Sequence, residues 1–303
     1  PRGSFVYLAE EIKRVVSIPV IAAYRINDPL LADSIIAEGR ADLVGMARAL
    51  IADPEFPDKA RDGRLDDIRP CIACGYCLDS VMLAAPMACA VNPAAGRETE
   101  LAIAPATRPK KVYVIGGGPA GMEAATVAAQ RGHDVTLFEK GEKLGGNLLL
   151  AAVPSYKWEI ENLTRYMELQ LRKSGAKVML DTEADEATVA ADKPDAVIVA
   201  SGSRPNVPNI PGVDGDNVAT ALDVLAVNKP VGERVVVVGG GQVGCEAAEH
   251  LAEQGKQVTI LEMLERIGND IGLTTRWVIL QRLRQAGIAT ETGARVIEIN
   301  DKG

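Results

Sequence analysis

Two short apolar runs open the chain: "PVIAA" at 19–23 and "ADLVGMA" at 41–47. Both are apolar on successive positions instead of alternating, the pattern of strands covered on two faces in a parallel sheet. Between them "NDPLLADSIIAEG" predicts a helix. Asp28 is its N-cap, Pro29 lies in its first turn and Gly39 stops it. Two strand-helix units make no domain, so other chain must cover their edges. Residues 63–107 carry the cysteine segment and end in "LAIAPATRPKK", a Pro-punctuated linker that marks a boundary.

From residue 111 the pattern repeats. "KVYVIGGGPAGMEAATVAAQRGHDVTLFEK" (111–140) and "RVVVVGGGQVGCEAAEHLAEQGKQVTILEM" (234–263) align without a gap, 123 residues apart, with 14 of 30 positions identical. Each reads as strand, glycine turn, helix, strand. Between them lie an amphipathic helix over 155–175, a weak strand in "AKVMLD", a strong strand in "DAVIVASG" and a Pro-rich crossing. The chain stops just after a strand in "GARVIEINDKG". The whole predicts an α/β protein: two β/α units, a four-Cys segment, then tandem Rossmann-like folds. Domain bounds fall at 1–62, 63–107, 108–230 and 231–303.

A lone G-x-G-x-x-G is weak, but each copy here follows an apolar strand, opens an Ala-rich helix and is completed by a Glu after the next strand. Gly116 permits the tight turn, Gly118 lets the backbone approach a pyrophosphate, and Gly121 lets helix and strand pack closely. Pro119 and Ala120 open the helix, whose N-terminus meets the phosphates. Glu139, 18 residues past Gly121, suits an adenosine ribose hydroxyl, with Lys140 beside it. Gly239, Gly241, Gly244 and Glu262 take these roles in the second copy. The first site alone carries "GEKLGGNL" (141–148), contributing Gly146 and Asn147, and the second lacks that element. FAD at the first site and a nicotinamide dinucleotide at the second follow from likeness to disulfide-reductase folds. Glu262 favours NADH by repelling a 2′-phosphate, while Arg266 leaves NADPH open.

Composition narrows the rest. With 41 acidic against 33 basic residues and a net charge of −8, nothing predisposes the surface to nucleic acid or anionic lipid. No apolar run approaches the roughly 18 residues of a membrane span, and the opening "PRGSFVYLAEEIKRVV" has neither the charged-then-apolar layout of a signal peptide nor an initiating Met. A cytoplasmic location is the expectation. There, clustered cysteines hold metal more often than disulfides. Cys71, Cys74, Cys77 and Cys89 follow C-x2-C-x2-C-x11-C. Three closely spaced thiolates with a returning fourth favour a [4Fe–4S] cluster over zinc, which more often uses two separated knuckles. Cys245 reads as a small packing residue, and the isolated His133 and His250 as structural.

The order "PVIAAYRI", "ADLVGMARALIADPEFP", "RPCIACGYC…CAVNPAAGRE", "VIGGGPAGMEAA", "LFEKGEKLGGNL" and "VVVVGGGQVG" resembles the iron–sulfur flavoenzymes of the old yellow enzyme superfamily across nearly all 303 residues. These include 2,4-dienoyl-CoA reductase, enoate reductases, bile-acid NADH:flavin oxidoreductases and trimethylamine dehydrogenase. The resemblance implies an FMN-binding TIM barrel, of which residues 1–62 are the last two β/α units, a four-Cys iron–sulfur segment holding a [4Fe–4S] cluster, and FAD and NADH domains. Electrons would pass from NADH through FAD and the cluster to FMN, which reduces an activated C=C bond of a small-molecule substrate. It also implies FMN-phosphate contacts from Arg25 and from the backbone of Ala47 with Arg48, although Tyr24 and Ala47 stand where family members usually have Gly. Catalytic residues would lie outside this chain, which reads as a fragment or as a subunit completed by another protein chain. Two alternatives stand: an amine dehydrogenase passing electrons outward to a flavoprotein, and an electron-transfer subunit without a substrate site. Glutamate-synthase-like subunits normally carry eight such cysteines.

Overall fold

The computed structural model describes residues 2–300, which group into two compact units: residues 2–145 with 159–200, and residues 146–158 with 201–300.

In the first unit, β1 (Ile21–Ala22) pairs in parallel with β2 (Leu43–Val44), Ile21 opposite Leu43. The helix between them spans Pro29–Ala37, and the Asp28 carboxylate accepts the Leu30 and Leu31 N–H groups at 2.9 and 3.3 Å, as the sequence predicts. Both strands are shorter than the apolar runs suggest, because the ladder is regular over two residue pairs only. Flanking bonds such as Gly45 N–H to Ala22 O continue the pairing irregularly. Ile21 and Leu43 are each more than half exposed.

A second, four-stranded parallel sheet has the order β5-β4-β3-β6, from β3 (Lys111–Ile115), β4 (Asp134–Phe138), β5 (Lys177–Met179) and β6 (Ala196–Val199). Val112 registers with Val135 on one side and Ala196 on the other. The helix Pro119–Gln130 covers it, burying Met122 and Ala125 against Val114 and Leu137. The amphipathic helix runs Glu159–Ser174 and packs on the 119–130 helix through Leu163, Met167 and Leu171.

The second unit holds a parallel sheet of β7 (Arg234–Val238), β8 (Gln257–Glu262) and β9 (Ala289–Thr292) in that order. The helices Gln242–Glu253 and Leu273–Gln285 complete it around a core of Cys245, Leu251, Ile260 and Leu283. The 273–285 helix has no counterpart in the sequence reading. No described helix is long and apolar enough to cross a membrane.

Candidate functional site: two glycine cradles and a four-thiol cavity

The two repeats fold into the same local bonding pattern. Gly116 N–H donates to Phe138 O at 2.8 Å, and Gly239 N–H to Leu261 O at 2.8 Å. Each first glycine has positive φ, 110° and 101°, a conformation that suits glycine. Gly118 and Gly241 cap their helices with nearly identical torsions, φ −72° and −70°. A Cβ on Gly121 would lie 1.8 Å from Gly116 O, and one on Gly244 1.9 Å from Gly239 O. These glycines are therefore required by close approach of helix and turn.

The glutamates complete the loops from within. Glu139 accepts Gly117 N–H at 2.6 Å and Gly141 N–H at 2.8 Å. Glu262, buried, accepts Gly240 N–H at 2.7 Å and Leu264 N–H at 2.8 Å. Each carboxylate thus fixes the glycine loop at the end of its strand. Lys140 follows Glu139, and Pro119 and Ala120 form the first helical turn.

The repeat also runs further than identity suggests. Gly145 N–H donates to Gly117 O at 2.9 Å and Gly268 N–H to Gly240 O at 2.6 Å, again 123 residues apart. Leu144 and Ile267 both pack against the middle glycine. The second copy therefore does carry a counterpart of "LGGN", namely "IGND" at 267–270. It went unread because only one glycine survives in it. Gly146 and Asn147 open the short helix Asn147–Ala151 in the first copy.

Cys71, Cys74, Cys77 and Cys89 line one cavity together with Arg48. The loop turns through left-handed Ala73 (φ 53°) and Gly75 (φ 81°) into the helix Tyr76–Met82. Burial pushes the Cys71 and Cys74 thiols up, opposed by backbone N–H donation from Ala73 and Tyr76 to the respective sulfurs. Among the described residues no group of three His, Cys, Asp or Glu side chains is arranged to hold a single metal ion.

The two arginines expected near FMN differ in surroundings. Arg25, at φ 52° after Tyr24 at 91°, forms an ion pair with buried Glu159, which also accepts Arg2 Nε at 3.0 Å. Its own Nε is buried without a partner. Arg48 opens the helix Arg48–Ala52 behind Ala47 and faces the thiol cavity.

A polar group flanking the cysteines escaped the sequence reading. Arg69 donates to Asn92 Oδ1 at 3.0 Å and to Tyr166 OH at 3.3 Å, and its backbone N–H donates to buried Asp53 at 2.8 Å. Asn92 in turn donates to Ile51 O at 2.8 Å. The only signal was position: "RPC" and "CAVN" set these side chains two or three residues from Cys71 and Cys89. His133 accepts Lys110 N–H at 3.1 Å, and His250 bonds Gln254 at 2.9 Å, both structural contacts. Cys245 is fully buried in the second core.

Residues 110–303 match the family described as pyridine nucleotide-disulphide oxidoreductase, and residues 4–67 the NADH:flavin oxidoreductase / NADH oxidase family. A NADH oxidase of Thermoanaerobacter brockii is 48% identical over 311 residues, covering 100% of this chain and 48% of the relative. An N,N-dimethylglycine/sarcosine dehydrogenase of Chromohalobacter salexigens is 40% identical over 287 residues, covering 91% and 41%. A solved 2-naphthoyl-CoA reductase in complex with 2-naphthoyl-CoA superposes with a TM-score of 0.96 at 38% identity, covering 100% of this chain and 46% of that one. The chain spans about half the length of the relatives it matches. With its parallel sheets and repeated glycine cradle, this chain belongs to the pyridine nucleotide-disulphide oxidoreductase family, within the old yellow enzyme-like iron–sulfur flavoenzymes.

Proposed function

We propose that this chain is the cofactor-bearing part of an NADH-dependent flavin and iron–sulfur oxidoreductase acting on an activated C=C bond of an enoyl-type substrate. The observation that carries the reading is the presence in one chain of a four-thiol cavity and two cradles of matching geometry. On this reading residues 1–62 end an FMN-binding barrel, 63–107 form the cluster segment, and 108–230 and 231–303 bind FAD and NAD(P)H.

The residues fit those groups. Cys71, Cys74, Cys77 and Cys89 would hold a [4Fe–4S] cluster, in a loop whose N–H groups already point at sulfur. Gly116, Gly118 and Gly121 with Glu139 would hold FAD, and Gly239, Gly241 and Gly244 with Glu262 the nicotinamide nucleotide. The backbone at Ala47 and Arg48, with Arg25, would meet the FMN phosphate. Bound, these groups supply hydride acceptance from NADH, single-electron passage and reduction of the substrate. The chain's own contribution is placement. Helix N-terminal amides neutralise pyrophosphate charge, the two glutamates fix the glycine loops and orient ribose hydroxyls, and the loop around the four thiols, of which Cys77 is buried, orients the metal ligands.

A second reading is favoured by the sarcosine dehydrogenase relative, 40% identical: an amine dehydrogenase sending electrons outward to a flavoprotein. Steady-state turnover of the full-length protein with NADH and a dye separates the two. NADH oxidation is expected, together with iron, acid-labile sulfide and two extractable flavins. Absence of NADH oxidation would sink the reductase reading.

A further inference from the structure

The two cradles differ in charge at the position of Asn147. The residue 123 places beyond Asn147 is Asp270. Its Oδ1 accepts the N–H of Gln242, the first residue of the helix Gln242–Glu253, at 2.8 Å. Its Oδ2 lies 3.0 Å from the point where a Cβ on Gly241 would stand. A carboxylate of the chain itself thus sits on the helix N-terminus and against the glycine that a pyrophosphate approaches. In the first cradle a Cβ on Gly118 would meet nothing within 4 Å. Among the described residues no lysine or arginine forms an ion pair with Asp270. Of the other acids that raise the proton affinity of the nearby Cys245 thiol, Glu246 pairs with Lys157 and Glu249 with Arg282.

Resting on the reading of the second cradle as a nicotinamide dinucleotide site, we propose that Asp270 sets the specificity of that cradle for an exchanging ligand. Its carboxylate occupies the Gln242 N–H and stands against Gly241, where it repels the negative charge of an incoming pyrophosphate. A tethered competitor at high effective concentration weakens an external anion in proportion to its own occupancy. The dinucleotide therefore binds as Asp270 swings off and departs as it returns. The first cradle has Asn147 in place of that carboxylate and Pro119, which has no N–H, in place of Gln242, and retains its dinucleotide. The asymmetry matches what the two groups must do, since a hydride donor leaves after each turnover and a prosthetic flavin stays.

The test titrates NAD+ into the oxidised full-length flavoprotein by calorimetry, so that no hydride transfer intervenes. Asp270→Asn and Asp270→Ser both keep a side-chain acceptor for Gln242 N–H without the charge. Each is expected to tighten NAD+ binding roughly tenfold and to slow its release. Asp270→Glu should stay near wild type, and the FAD content of all three should be unchanged. Neutral variants that bind NAD+ no more tightly than a wild type that binds it would overturn the role of Asp270 and leave the second cradle as a dinucleotide site. If neither wild type nor the neutral variants bind NAD+, the reading of the cradle itself fails, and this inference with it.

Discussion

Gly118 and Gly121 stand three residues apart and respond differently to a methyl group. At Gly121 the added carbon would lie 1.8 Å from Gly116 O, a backbone atom that cannot rotate away. Gly121→Ala is expected to destabilise the first unit by about 3 kcal/mol and to abolish FAD binding. At Gly118 the methyl meets open space, so Gly118→Ala should lower the thermal midpoint only slightly, by the equivalent of about 1 kcal/mol for a poorer N-cap. Its loss should appear in flavin retention, because the methyl occupies the path by which a pyrophosphate approaches. Comparing melting curves with flavin-to-protein ratios tests both. Cys245 gives a residue-scale pH dependence. Burial, with Asp270 next in effect, pushes its thiol from the ordinary 9.0 up to about 11. The native state therefore keeps a proton that the unfolded chain releases above pH 9. The resulting stability is complete below about pH 9 and is lost as pH rises through about 11. The thermal midpoint should fall between about pH 8 and about pH 10.5, and Cys245→Ala should flatten that fall at a cost of about 1 kcal/mol at neutral pH.

At the scale of elements, what could be read depended on whether the signal was local. Asp28 and Pro29 announced the start of the Pro29–Ala37 helix because capping is decided by two or three adjacent residues. The two glycine turns were legible for the same reason. The helix Leu273–Gln285 was not, since it opens after Gly272 without a capping side chain and buries only Ile279 and Leu283 among apolar residues that point several ways. The "IGND" counterpart was hidden because its role rests on a backbone bond, Gly268 N–H to Gly240 O, that Ile and Leu serve equally well. The Arg69 group was hidden because it joins distant elements: the turn at Asp53, the limb after Cys89 at Asn92, and the Glu159–Ser174 helix at Tyr166. Its planar fork reaches Asn92 and Tyr166 together, which a lysine cannot. Arg69→Ala and Arg69→Lys should both loosen the two cysteine limbs, costing roughly 2 kcal/mol for the charged hydrogen bonds lost. The measurement is iron per chain, expected to fall in both variants with no rescue by lysine.

For the molecule as a whole, the cysteine cavity and the first cradle share a compact unit and yet draw on different elements. The cavity is made by Arg48 and the segments 71–77 and 89–91, and the cradle by β3, β4, the helix Pro119–Gln130 and the turn at Gly145. The sheet order β5-β4-β3-β6 places β3 at its centre, with Val114 and Leu137 fully buried, so the cradle has its own apolar support. No hydrogen bond of the cradle loop involves a residue of the cysteine segment among the described residues. Occupancy of one site should then be insensitive to loss of the other. Cys89→Ala removes the returning ligand without touching β3, and the protein is expected to lose most of its iron and acid-labile sulfide while keeping its FAD-to-protein ratio. Flavin extraction and iron analysis on the same sample decide the point. If FAD is lost in step with iron, the cavity supports the cradle through a path other than the hydrogen bonds described, and the two sites fold as one.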